Sequence, residues 1–191
     1  MEKKVYLCTV ILTMRHKLTT EEMGRLTVEE FRESEKLPLT VVLDNVRSMN
    51  NIGSVFRTSD AFRVEHIALC GITATPPHRE IHKTALGAEE SVAWSHHDDC
   101  EECIRRLKAR GYKVYAVEQT HDSVMLDHLK AESLDGPVAI VLGNELEGVQ
   151  ECLLPLCDGC LEIPQFGTKH SLNVSCAAAI VIWELYKAMK L

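Results

Sequence analysis

A chain of 191 residues with 46% apolar content suits one globular domain with a substantial core. Its net charge of −7 excludes a protein whose whole surface grips nucleic acid, while leaving room for a local basic cleft. No stretch approaches the roughly 20 apolar residues that span a bilayer, and no repeat or low-complexity linker divides the chain.

Residues 3–14 hold a short apolar run, followed by Arg15-His16-Lys17 where a leader peptide would carry a small-residue cleavage site. They read as an N-terminal strand, or as sequence upstream of a start at Met14. Residues 18–37 are polar and charged, with Met23, Leu26, Val28 and Phe31 at helical spacing. Leu37-Pro38 ends this piece. The chain therefore divides into an extension with a short helix, 1–37, and the domain proper, 38–191.

From there strand and helix patterns alternate. Thr40–Leu43 is a β-branched strand, and Ile52, Val55, Phe56, Ser59 and Phe62 mark a helix over Ile52–Phe62. His66–Cys70 is the second strand. The long loop Gly71–Ala88 carries Pro76-Pro77-His78-Arg79, and loops of that length are often functional. A helix over Cys103–Arg110 is closed by Gly111. Lys113–Val117, the uninterrupted Val138–Leu142 and Leu161–Pro164 complete five strands. The last helix, Leu172–Met189, takes Ser171 as its N-cap. The alternation specifies an α/β fold, a parallel sheet with helices on both faces.

The eight cysteines include two Cys-x-x-Cys pairs, Cys100/Cys103 and Cys157/Cys160. A four-thiolate zinc site uses that local spacing, but the gap between the pairs is far longer than in a zinc ribbon. Cys100 and Cys103 also share a helical pattern. Packed, reduced thiols of a cytosolic protein are the expected reading, with no metal site.

Three segments carry the chemistry. The first, Leu43–Thr58, joins a strand to a helix and holds Asn51 and Arg57 less than two turns apart, so both can face one cleft. Arg supplies a cationic fork for phosphate and Asn a polar clamp. A capped helix with an ion-paired Arg is the plain alternative. The second, Val141–Val149, follows a buried strand. Gly143 permits close backbone approach to a ligand, and Glu145 lies above the carboxyl edge of the sheet. A solvent-facing turn explains it equally well, and it is not a Gly-x-Gly-x-x-Gly fingerprint. The third runs from Ile163-Pro164-Gln165-Phe166-Gly167 through Thr168-Lys169-His170 to Ser171-Leu172-Asn173-Val174-Ser175. It places a loop between a strand end and a helix start, where α/β proteins bind ligands.

In order, these are Asn-x-Gly-x-x-x-Arg, Leu-Gly-x-Glu-x-x-Gly and Ile-Pro-x-x-Gly-x-x-x-Ser-Leu-Asn-Val-Ser. Together they resemble the motifs of the SpoU–TrmH family of RNA ribose 2′-O-methyltransferases, in the SPOUT superfamily, over residues 38–190. Lys83-Thr-Ala-Leu-Gly-Ala-Glu also looks like that family's small-residue turn. The resemblance implies a C-terminal trefoil knot, which periodicity alone would not suggest. It implies S-adenosylmethionine held by backbone groups at Val117, Leu142, Gly143, Ile163, Ser171 and Leu172. It implies a homodimer in which Arg57 completes the other subunit's site. Arg57 would activate the ribose hydroxyl, with Asn51, Glu145, Ser171 and Asn173 positioning the ribose and the loops. The substrate class would be tRNA or rRNA, and the location cytoplasmic, with no membrane partner.

Two departures stand out. Gln165-Phe166 replaces the Met and small or polar residue usual in the family, beside the expected cofactor pocket. The chain also lacks the larger N-terminal RNA-binding domain of many relatives, a role that 18–37 and 71–88 are placed to fill. Basic residues such as Arg25, Arg47, Arg63, Arg79 and Lys169 form a local basic surface or, for at least half the basic residues, scattered solvated charge. The competing readings are a catalytically silent RNA-binding or assembly factor, a base-modifying SPOUT enzyme and a nicotinamide oxidoreductase. The retained Asn51, Arg57, Glu145, Ser171 and Asn173 favour activity. The motif pair argues against base modification, and the missing Gly-rich fingerprint against the oxidoreductase.

Overall fold

The apolar runs become the middle of one parallel sheet. The structure, a computed structural model, describes residues 16–19, 21–130 and 134–191. The expectation of a strand within 3–14 lies outside the described residues. In chain order the elements are α1 (Val28–Glu33), β1 (Leu37–Asp44), α2 (Met49–Ala61), β2 (Val64–Cys70), α3 (Arg79–Ala85), α4 (Ala88–Ser91) and β3 (Ala93–His97). They continue with α5 (Cys100–Ala109), β4 (Lys113–Val117), β5 (Val124–Met125), β6 (Val138–Leu142), β7 (Gly159–Glu162) and α6 (Val174–Lys190).

The seven strands lie in the order β3-β2-β1-β6-β4-β7-β5, and every pairing is parallel. Side chains alternate between two cores, as the period of two demands. Val41, Leu43, Ile67, Leu69, Val138, Ile140 and Leu142 face α2, α3, α4 and α6. Val42, Ala68, Cys70, Ala139 and Val141 face α5. Both faces of β6 are buried, which is why Val-Ala-Ile-Val-Leu shows no polar alternation.

Helix ends follow local chemistry. Thr27 and Glu30 form a capping box on α1. The Ser48 hydroxyl accepts from the Asn51 N–H at 3.3 Å to open α2. Gly111, at φ +86, turns the chain after α5. The sequence reading differs in several places, and it does not mark α4 or the two-residue β5. The loop Gly71–Ala88 contains α3, a helix too short for a periodic signal. β3 is a polar edge strand (Ala-Trp-Ser-His-His) without the apolar run that marks its neighbours. β7 stops at Glu162, ahead of Pro164, which lacks an N–H for the ladder. The cap of α6 is Asn173, not Ser171: its Oδ1 accepts from the N–H groups of Ser175 at 2.9 Å and Cys176 at 3.4 Å.

The thiols of Cys70, Cys100, Cys103 and Cys160 are buried in the core under α5, and no described cysteine is disulfide-bonded. Burial pushes the Cys157 thiol up to about 12. No described helix is long and apolar enough to cross a membrane.

Candidate functional site

The strand order reverses beside β1. The chain runs outward through β2 and β3, then returns to build β4 and β6 on the other side. Ligands of open α/β sheets bind outside the carboxyl ends of strands at such a point. Here those ends are Asp44 and Leu142. Asp44 is fully buried, and its carboxylate accepts from Asn45 Nδ2 at 2.8 Å, Gln150 Nε2 at 2.7 Å and the Gln150 N–H at 3.2 Å. Those bonds fasten the 143–150 loop to β1.

Glu145 lies at the tip of that loop. Its Oε1 accepts from the Ser48 N–H at 3.0 Å and from Asn51 Nδ2 at 2.9 Å, and its Oε2 accepts from the Arg47 N–H at 3.2 Å. A carboxylate there satisfies orphan N–H groups at the start of α2 and complements the helix dipole. Burial pushes the Glu145 carboxyl up, but the Asn51 amide and the backbone N–H donors outweigh it, so it sits below the ordinary carboxylate value. Asn51 then accepts through Oδ1 from Asn173 Nδ2 at 3.1 Å. One hydrogen-bonded chain thus runs from the loop after β6, through α2, to the cap of α6. The structure brings together Asn51, Glu145 and Asn173, which lie 94 and 122 residues apart along the two links.

Arg57 is elsewhere. Six residues past Asn51, it is rotated about 240° around α2. It is exposed and lines a separate groove of about 1160 Å³ with Thr27, Asp60, Leu86 and Gly87. Its guanidinium makes no hydrogen bond or ion pair with a described residue. The expectation that Asn51 and Arg57 share a cleft therefore fails within one protomer. Ser171 is exposed too, two residues ahead of the cap, with no hydrogen bond to a described residue.

The residues expected to hold a cofactor do converge. β6, β4 and β7 are neighbours, and their register sets Ala116 beside Val141 and Val117 beside Leu161. Val117, Leu142 and Ile163 therefore form an apolar floor at one sheet edge, with Ser171 and Leu172 on the loop that follows. Between Gln165 and Leu172 a single backbone group, the His170 carbonyl, is hydrogen-bonded to another described residue. The remaining backbone donors and acceptors are open to a polar ligand edge. An apolar floor with free backbone groups fits a purine-bearing cofactor.

Gly143 is required by its own loop. A Cβ on it would fall 1.8 Å from the Gly148 carbonyl carbon and 2.1 Å from the Val149 nitrogen. The close approach that needs a glycine is therefore that of the loop's own backbone. Asp44 and Gln150 were not foreseen either. An Asp at a strand end has no special signature until its partner, 106 residues later, is brought to it.

The fold and the clustered loops define an α/β domain whose motif loops gather at its switch point. The chain belongs to the SpoU rRNA methylase family, whose sequence model matches residues 38–183. It is 36% identical over 166 residues to a tRNA (guanosine(18)-2′-O)-methyltransferase of Thermus thermophilus, covering 85% of this chain and 81% of that one. It is 31% identical over 186 residues to a 23S rRNA (guanosine-2′-O-)-methyltransferase of Nitrosomonas europaea, covering 95% and 70%. Among solved structures, a TrmH/SpoU tRNA modifying enzyme of A. aeolicus superposes with a TM-score of 0.74 at 26% identity, over 84% of this chain and 81% of that one. An AdoMet-bound rRNA methyltransferase of Sinorhizobium meliloti gives 0.73 at 28% identity, over 82% and 59%.

Proposed function

We propose that the protein transfers a methyl group from S-adenosylmethionine to a ribose 2′-hydroxyl of tRNA or rRNA. The observation that carries this reading is the hydrogen-bonded chain Glu145–Asn51–Asn173, built from all three family motifs, beside the floor of Val117, Leu142 and Ile163. When bound, the cofactor supplies an electrophilic methyl on a sulfonium. The ribose hydroxyl is a weak nucleophile and needs activation. Glu145 holds the Asn51 amide, and the Asn173 amide ties Asn51 to the start of α6, directly after the loop that carries Ser171. Ser171, on that loop, is free to bond a ribose or a phosphate.

Arg57 stabilises the developing alkoxide and grips the adjacent phosphate. In this reading it acts as a cation and not as a general base, the role that suits a guanidinium fork. Because it stands apart from Asn51 in its own protomer, it serves the site of a second copy. An exposed apolar strip on α6 supports such a dimer. Ile180 and Trp183 are 39% and 43% exposed, and Trp183 lies 5.6 Å from the Phe62 ring of α2. The opposite stripe, Val174, Ala178, Val181, Ile182 and Leu185, is occupied by the protein's own core. The C-terminal trefoil threading and a cytoplasmic location belong to the same reading. The placing of β6 between β1 and β4, with the later β7 outside β4, supports the first. The free thiols support the second.

The test is methyl transfer from labelled S-adenosylmethionine to total small RNA and to ribosomal RNA, with wild type and Arg57→Ala in parallel. Label in one RNA class, resistant to alkaline cleavage at that nucleotide and lost in the mutant, is the expected result. Cofactor binding by calorimetry with no label in either class would overturn it in favour of a silent RNA-binding protein.

A further inference from the structure

The loops assigned to the cofactor follow β4, β6 and β7, and one dipeptide joins all three. Glu118 and Gln119 come directly after β4. The Glu118 N–H donates to the Leu161 carbonyl at 3.1 Å, extending the β4–β7 pairing by one bond. Its carboxylate reaches the other way. Oε2 accepts from the Val149 N–H at 3.1 Å, and Oε1 accepts from the Gln119 N–H at 2.9 Å. Gly148 makes room for it: a Cβ there would lie 2.2 Å from Oε2, and φ is +71. Glu118 thus sets the spacing of the loops after β4 and β6, and its Oε1 holds the Gln119 backbone.

Gln119 reaches the third loop. Its Nε2 donates to the His170 carbonyl at 2.6 Å, the one hydrogen bond from a described residue to the backbone between Gln165 and Leu172. The turn behind it is braced. Thr120 Oγ1 donates to Asp122 at 3.0 Å, and the Ser123 hydroxyl lies against both the Thr120 carbonyl and the Glu162 carboxylate at the end of β7. Gln119 itself is exposed, so core packing does not account for its fixed orientation. An exposed side chain on a braced turn, bonded to a loop that has no other hydrogen bond to a described residue, is built to hold that loop.

We propose that Gln119, held by Glu118, is a positioning residue that latches the 165–172 loop against the cofactor pocket and sets how tightly S-adenosylmethionine is held. The inference rests on the function proposed above. A loop ordered before binding removes part of the entropy cost of binding, so the latch acts on cofactor affinity and residence time. It does not touch the reacting atoms.

The experiment compares wild type with Gln119→Ala and Gln119→Glu. Calorimetry with S-adenosylmethionine gives the affinity, and KM and kcat are read with the RNA that the wild type labels. Gln119→Glu keeps the shape but turns a carboxylate oxygen toward the His170 carbonyl, where repulsion replaces the bond. It is expected to weaken cofactor binding by about ten-fold or more, and Gln119→Ala by about five-fold, the worth of one net hydrogen bond. KM for the cofactor should rise in step, with kcat at saturation, RNA affinity and the apo unfolding temperature unchanged. Wild-type affinity in Gln119→Glu overturns the latch. So does a fall in kcat or unfolding temperature with cofactor affinity intact, which would make the residue structural. A wild type that binds no S-adenosylmethionine would remove the cofactor reading and the latch together.

Discussion

Glu145 and Arg57 stand at opposite extremes of order. Three donors from α2 and the turn before it converge on Glu145, whereas Arg57, on the same helix, reaches no described partner. The first group is preorganised inside one protomer and doubles as structure, since it closes the start of α2. The guanidinium of the second ties to no described residue of its own protomer. A charge left free in a groove is available to something outside the protomer, and a carboxylate already engaged by three donors is not. The comparison separates residues that shape the site from the one proposed to act on the substrate.

The largest effect should come from Arg57. Arg57→Ala is expected to lower methyl transfer by about 100-fold or more, the usual cost of removing an electrostatic stabiliser, while the unfolding temperature stays at the wild-type value. Arg57→Lys should keep part of the rate through its charge, with the fork lost. A drop in the unfolding temperature for Arg57→Ala would break the comparison, because it would give Arg57 a structural partner.

Glu145→Ala should affect both properties. It leaves the Arg47 and Ser48 N–H groups and the Asn51 amide without their acceptor. A loss of stability of about 1–2 kcal/mol is expected, together with a clear fall in rate. Denaturant unfolding beside the methyl-transfer assay reads the two. Activity loss with full stability would place Glu145 in the same class as Arg57.

Asn173→Ala removes the cap of α6 and the bond to Asn51, at a cost of about 1 kcal/mol. Asn173→Ser should restore the cap but not the reach to Asn51, so stability returns while the rate does not. Recovery of both would reduce Asn173 to a cap.

The smallest effect is on the acid side. The Glu145 carboxyl is lowered from 4.5 in the folded chain. Above 4.5 it is ionised in both folded and unfolded chains, so its stabilising contribution is complete. That contribution is lost as the pH falls through the lowered folded value. The network therefore adds no pH dependence to stability near neutrality. In Glu145→Gln the acid-side decline in unfolding temperature should be shallower than in wild type, and an identical decline would remove Glu145 from the acid response.

Much of the domain was legible in the chain. Lys113–Val117 and Val138–Leu142 stand as read, the second because a strand buried on both faces must be continuously apolar. Asn51, Glu145 and Asn173 were picked out by their motifs, and they do meet. The polar edge strand β3, the short α3 and the two-residue β5 escaped, since each is too short or too polar for periodicity to mark. Glu118 and Gln119 escaped for another reason. A Glu-Gln pair after a strand looks like any solvated turn until the loops at 149 and 170 are folded onto it.

By itself the sequence determined the α/β class, the central strands, the family and the segments that carry the site, because burial and motif spacing are local properties of the chain. Only the tertiary structure decided which motif residues share a hydrogen-bonded chain. Arg57 turns away from Asn51 through the 100° step of the helix, Gly143 serves the backbone of its own loop, and Asn173 caps α6 in place of Ser171; these are local geometry that motif spacing does not mark. The hydrogen-bonded chain itself depends on where distant segments come to rest, and that is settled by the packing of seven strands in an order unlike their order in the chain.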